Sequence, residues 1–173
     1  MKKVIVVALA IVMGIAVGTA SAAGFDMTKV YVGGGLASSS LDDAPSSGDI
    51  SRATGFQIFG GYDLPYNLGP AKTAVEVGYM DQGDYDWTFS AYGYSASGKI
   101  AGPAGLWATA LALYPVAPQI NILARIGLDF GDDDGLIIGV GAGYDVNKQI
   151  QVRAEYVKRP NTTSLEANVA YHF

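Results

Sequence analysis

Few residues in this chain are equipped to do chemistry, and they are charged side chains set into apolar runs. All three glutamates, Glu76, Glu155 and Glu166, are placed this way, as are Arg125 and Arg153. Paired carboxylates can serve as general acid and base, but arginines recurring in the same pattern point to charge neutralisation. The one histidine, His172, is penultimate. No cysteine is present, which removes disulfides, thiolate metal sites and thiol nucleophiles. Asp132-Asp133-Asp134 lacks the spaced ligands of a calcium loop and reads as a solvated turn. Gly139-Val140-Gly141-Ala142-Gly143 is not a dinucleotide fingerprint, because it opens no helix, so its glycines relieve crowding instead. The charge pattern therefore calls for no catalytic group, metal or cofactor; it calls for a frame that holds acids and arginines together.

The N-terminus says where that frame is built. Lys2 and Lys3 precede the apolar run 4–17, and Ala20-Ser21-Ala22 supplies a small-residue cleavage site, so residues 1–22 read as a secretory signal peptide, with cleavage after Ala22 or Ala23. The run is too short for a spanning helix, which needs about 20 apolar residues. Residues 24–173 then form one domain. The signal holds two of the 11 basic and none of the 16 acidic residues, leaving nine basic against sixteen acidic, a net charge of −7. Nucleic acid is an unsuitable partner for such a chain. The export signal also makes the sequon at Asn161-Thr162-Thr163 moot.

Beyond residue 24 the chain divides into eight alternating stretches bounded by Gly, Pro, Asp, Asn or Ser: 29–37, 55–63, 72–81, 106–114, 120–130, 136–145, 150–158 and 165–173. In 120–130, Ile120, Ile122, Ala124, Ile126 and Leu128 fall on one face, and Asn121, Arg125 and Asp129 on the other. In 165–173, Leu165, Ala167, Val169, Tyr171 and Phe173 oppose Glu166, Asn168 and His172. Periodicity alone fits a water-soluble barrel or sandwich as well as a membrane barrel. The connections decide between them. They are short at 64–71, 115–119 and 146–149 but long at 38–54 and 82–105, the asymmetry of an outer-membrane barrel. Tyr62, Tyr114, Tyr144 and Phe173 lie near the short-turn ends; Tyr79 and Tyr156, with Phe56, Trp107 and Phe130, lie toward the other. Two aromatic girdles follow, as at two membrane interfaces. The expected fold is all-β: an eight-stranded antiparallel transmembrane up-and-down β-barrel in the cell outer membrane. Its wall would contact lipid and lipopolysaccharide.

Phe59-Gly60-Gly61-Tyr62, Glu76-Val77-Gly78-Tyr79, Tyr114-Pro115, Arg125-Ile126-Gly127, Glu155-Tyr156, Arg159-Pro160 and the terminal Val169-Ala170-Tyr171-His172-Phe173 occur in an order and spacing that resembles the OmpA-like transmembrane barrel family. The resemblance covers nearly all of residues 24–173. It implies insertion by the barrel assembly machinery, with Val169, Tyr171 and Phe173 as the assembly signal. It also implies a lumen ion-pair gate at Glu76, Leu111, Glu155 and Arg159. Leu111 departs from the family's lysine, and Arg125 or Arg153 is the candidate substitute. The lumen set is thus Glu76, Arg125, Arg153, Glu155, Glu166 and Arg159, read primarily as a static plug, since eight strands leave an interior that side chains fill.

The H-x-S-N run of lipid A deacylase barrels is missing, so the chain is expected not to be an enzyme. Tyr85, Trp87 and Phe89 continue the alternation beyond residue 81, as if strands 3 and 4 rose above the membrane in a hairpin with exposed aromatics. The expected function is a plugged barrel contributing to envelope structure and surface properties. The alternatives are an adhesin acting on a host or cell-surface partner through its long loops, and a small pore or transporter of small hydrophobic molecules.

Overall fold

The computed structural model describes residues 26–42, 49–91 and 94–173, so the expected signal peptide lies outside the described residues. One 3-10 turn, Met27–Lys29, leads into eleven strands: β1 Val30–Leu41, β2 Asp49–Ile50, β3 Ala53–Asp63, β4 Lys72–Asp81, β5 Asp84–Ala91, β6 Tyr94–Ala101, β7 Ala104–Ala117, β8 Ile120–Gly131, β9 Gly135–Asp145, β10 Ile150–Lys158 and β11 Thr162–His172. Eight of them close into an antiparallel barrel in the order β1-β11-β10-β9-β8-β7-β4-β3. These are the eight alternating stretches of the sequence. Closure matters because unpaired backbone N–H and C=O groups cannot be left in hydrocarbon. Pairing of β1 with β11, Tyr31 opposite His172 and Ala37 opposite Glu166, removes the last edge.

The alternation sorts side chains as expected: Ile122, Ile126, Leu128 and Phe130 of β8 point outward and exposed, while Leu123, Arg125 and Asp129 are buried inside. On β7 the inward set is Trp107, Thr109, Leu111 and Leu113, leaving Ala108, Ala110, Ala112 and Tyr114 outside. Trp107 is therefore a lumen residue and not part of a girdle.

The segment expected as loop 82–105 is also different. β5 and β6 do not extend β4 and β7; with β2 they form a separate three-stranded sheet in the order β2-β5-β6. The ladder breaks at Gly83, whose φ of 76° favours glycine. Its carbonyl accepts from Gly102 N–H at 2.7 Å, which pins the foot of the hairpin.

The interior is tiled by pairing large side chains with glycines across the ladders. Tyr31 faces Gly61, Phe59 faces Gly33, Trp107 faces Gly78, Arg125 faces Gly139 and Glu155 faces Gly141. A Cβ at Gly61 would lie 2.1 Å from Tyr31 Cζ, and one at Gly78 2.5 Å from Trp107 Cζ2. The glycines thus provide the width that the rings and guanidiniums occupy in a narrow barrel.

Candidate functional site

Seven of the eight barrel strands contribute hydrogen-bonding or charged side chains to one network inside the lumen, β7 adding only the Trp107 ring, and Glu76 of β4 is its hub. Glu76 Oε1 accepts from Tyr31 O–H at 2.8 Å and from Arg153 Nη1 at 2.5 Å, while Oε2 lies 3.4 Å from Arg125 Nη2. The same Arg125 nitrogen is 2.5 Å from Glu155 Oε2. Glu155 Oε1 accepts from Asn168, whose carbonyl accepts from Gln57; Gln57 also donates to Glu166 Oε2 at 2.7 Å. Glu166 Oε1 accepts from Arg159 Nη1 at 3.0 Å, and Arg159 Nε lies 3.2 Å from Asp129. Toward the short-turn end, Arg153 Nε donates to Gln151, which donates to Asp145, where Asn121 also donates.

Aromatic rings flank two of the cations. Arg125 lies 5.4 Å from the Trp107 centroid, and Arg153 lies 5.3 Å from Tyr31 and 5.9 Å from Phe59. Burying a charge without a partner costs several kcal/mol, roughly, so each arginine needs both its carboxylates and these ring faces. The arrangement neutralises charge and fills space.

The six charged lumen residues read from the sequence are all buried and joined in this network. Leu111, at the lysine position of the resemblance, points inward directly across the ladder from Arg125, which reaches both carboxylates in its stead. Tyr31 and Gln57 escaped the sequence reading. The signal for Tyr31 was its parity with Gly33 and Gly35, and for Gln57 its lone polar character among apolar and glycine neighbours.

At the short-turn end a vestibule of about 570 Å³ has Arg153 and Gln151 at its inner end and Asp63, Lys72, Asp145 and His172 around its mouth. The His172 ring lies tilted by 31° against Tyr31 with centroids 4.6 Å apart, and its Nδ1 is 3.7 Å from Asp63. At the opposite end Tyr85 is buried, with its O–H donating to Gln82 Oε1 at 3.0 Å; Gln82 in turn donates to Thr162. This corrects its expected place on the surface. Trp87 is half-buried and Phe89 exposed. Asp133 also departs from the expected solvated turn: it is buried and accepts from Asn161 and Thr162, whereas Asp132 and Asp134 are exposed. Among the described residues no group of three His, Asp or Glu could hold a metal ion.

On the outside, Tyr114 and Tyr144 are exposed near the short turns and Tyr156 near the other end, with Tyr62 and Tyr79 half-buried. Val169, Tyr171 and Phe173 form one outward row, with the last two rings edge to face at 5.5 Å. A wall of exposed Ile, Leu, Val and Phe around a buried ionic interior is the inverse of a water-soluble protein. The family model described as outer membrane protein beta-barrel domain matches residues 7–173. The chain belongs to that family.

Solved structures of like fold are, for this outer membrane protein β-barrel, distant in sequence. A de novo designed transmembrane β-barrel is 16% identical with a TM-score of 0.54, covering 86% of this chain and 98% of that one. Ail of Yersinia pestis in a phospholipid nanodisc is 14% identical, covering 83% and 98%, with a TM-score of 0.49. OprG from Pseudomonas aeruginosa is 14% identical, covering 86% and 100%, with a TM-score of 0.45. No curated protein sequence matches. For a barrel of this family the end with short turns is periplasmic and the β2-β5-β6 sheet extracellular.

Proposed function

We propose that the protein is a non-enzymatic outer-membrane barrel with a plugged lumen, contributing to envelope structure and to the properties of the cell surface. One observation carries this reading: the contacts run unbroken from Asn121 and Asp145 at the periplasmic end, through Gln151, Arg153, Glu76, Arg125 and Glu155, then by way of Asn168, Gln57, Glu166 and Arg159 to Asp129 near the extracellular end. An open pore would leave these charges facing water, whereas here they face each other. Export through a cleaved signal peptide, and insertion by the barrel assembly machinery through Val169, Tyr171 and Phe173, belong to the same reading. So does a wall packed against phospholipid and lipopolysaccharide. The test is conductance of the refolded protein in planar bilayers, with folding confirmed by heat-modifiable gel mobility. Folded protein without stable openings supports the plug; ion-selective openings altered by Glu76→Gln make the network a gate, as the OmpA-like resemblance implies.

A second reading, surface recognition, is favoured by the two-faced extracellular sheet. Trp87 and Phe89 share a face with Ile50 and Ile100 across the ladders, while Asp84, Asp86, Ser97 and Lys99 occupy the other. Deleting 84–101 separates the two readings: it abolishes cell-surface binding if the sheet is an adhesin and leaves envelope integrity unchanged.

A further inference from the structure

The outer wall of the barrel is not uniform. Outward positions at matching heights on β4, β7 and β8 are Val77, Ala108 and Leu128, then Val75, Ala110 and Ile126, then Thr73, Ala112 and Ala124. The β7 alanines thus form the floor of a furrow along the strand, walled by Val75 and Val77 of β4 and by Ile126 and Leu128 of β8, and at its lower end the floor widens onto Ala124 of β8.

The periplasmic turn between β3 and β4 folds against the lower end of this furrow. Leu64 N–H donates to Thr73 O at 2.8 Å, Leu68 and Ala71 exchange backbone hydrogen bonds, and the Thr73 hydroxyl donates to the Tyr66 carbonyl. Pro65 and Pro70 carry no N–H. The turn therefore brings little unsatisfied backbone to a wall where such groups are costly. Between turn and wall lies a crevice of about 360 Å³ lined by Leu64, Leu68, Thr73, Ala110, Ala112 and Ala124, among others. Tyr66 and Leu68 are 78% and 70% exposed, an unusual display of apolar surface at a turn unless hydrocarbon surrounds it.

We propose that this crevice holds one acyl chain of a phospholipid from the periplasmic leaflet. The crevice is continuous with the lipid-facing wall, it lies just above Tyr114 on the short-turn side, and its polar groups are already bonded to each other. Its almost wholly apolar lining suits hydrocarbon, and because it opens onto the furrow, one part of an extended acyl chain fits inside while the rest continues along the wall. The turn also stands off the wall as a lip, so the flat side of a second barrel cannot seat there.

Phosphatidylethanolamine bearing a diazirine on one acyl chain is the probe, incorporated into bilayers with the folded full-length mature protein and mapped by peptide mass spectrometry after irradiation. Labelling of 64–68 and 110–112 several-fold above the outward residues of β9 and β10 is the expected result. Ala112→Phe should remove that excess without changing heat-modifiable mobility, and Ala124→Leu provides a milder filling if the first variant does not fold. Even labelling around the barrel, an excess that survives both substitutions, labelling there from a lipopolysaccharide acyl chain instead, or protein-to-protein crosslinks at the turn would each overturn the assignment.

Discussion

Arg125 stands between two carboxylates that it joins: the same guanidinium nitrogen lies 2.5 Å from Glu155 and 3.4 Å from Glu76. The Trp107 ring covers another side of that guanidinium. Removing the cation leaves two buried acids facing each other. Arg125→Leu should lower unfolding stability by about 3–5 kcal/mol, read from denaturant midpoints in lipid vesicles. Adding Glu155→Gln should recover part of the loss, because one unpaired charge is then gone. If the double variant is no more stable than the single one, the pair is not what holds this part of the lumen.

Gly61 and Tyr31 test the tiling. A methyl at 61 would meet the Tyr31 ring at 2.1 Å, so Gly61→Ala should destabilise by roughly 1–3 kcal/mol, the usual range for overpacking. Tyr31→Phe should not rescue it, since the ring remains, whereas Tyr31→Leu should restore part of the stability. Equal midpoints for the alanine variant and the parent would contradict the tiling.

The two tryptophans should respond differently to a water-soluble quencher. Trp107 is 1% exposed inside the barrel and Trp87 is half-buried on the extracellular sheet. Acrylamide should quench the Trp87→Phe variant weakly and the Trp107→Phe variant strongly. Equal quenching would mean that water reaches Trp107 and that the ring is not packed inside the lumen.

Asp42, just beyond β1, accepts from Lys158 and from Thr163, and the Lys158 hydrogen bond holds its carboxyl below the ordinary carboxylate range. A group lowered on folding contributes stability above its unfolded pKa and loses it as pH falls through the folded value. The Asp42 contribution should therefore be complete near neutrality and disappear only in acid. An NMR titration of Asp42 should give a midpoint below that of an exposed aspartate, and Lys158→Ala should raise it.

The barrel was legible because Ile122, Arg125, Val169 and Glu166 obey the period of two, and because one face of a spanning strand must meet lipid. Two things were not. The phase of β7 was ambiguous because Trp107, Leu111 and Leu113 are apolar and yet inward; Gly78, opposite Trp107 across the ladder, resolves it, and that facing depends on register. The hairpin at 84–101 looked like an extension of the barrel because Tyr85, Trp87 and Phe89 keep the alternation. One residue in a left-handed conformation, Gly83, suffices to turn the strands into another sheet. Tyr85 then drops into the barrel's mouth and not onto its surface.

The seam between β1 and β11 has a temporal meaning. It joins the first described strand to the last, from Tyr31 opposite His172 to Leu41 opposite Thr162. Contacts that distant along a chain form late, after the intervening loop entropy has been lost. No cylinder can exist until β11 has been made and brought beside β1, and until then both of these strands carry open edges. A chain that lost β11 would keep seven complete barrel strands and still be a sheet with nowhere to stop.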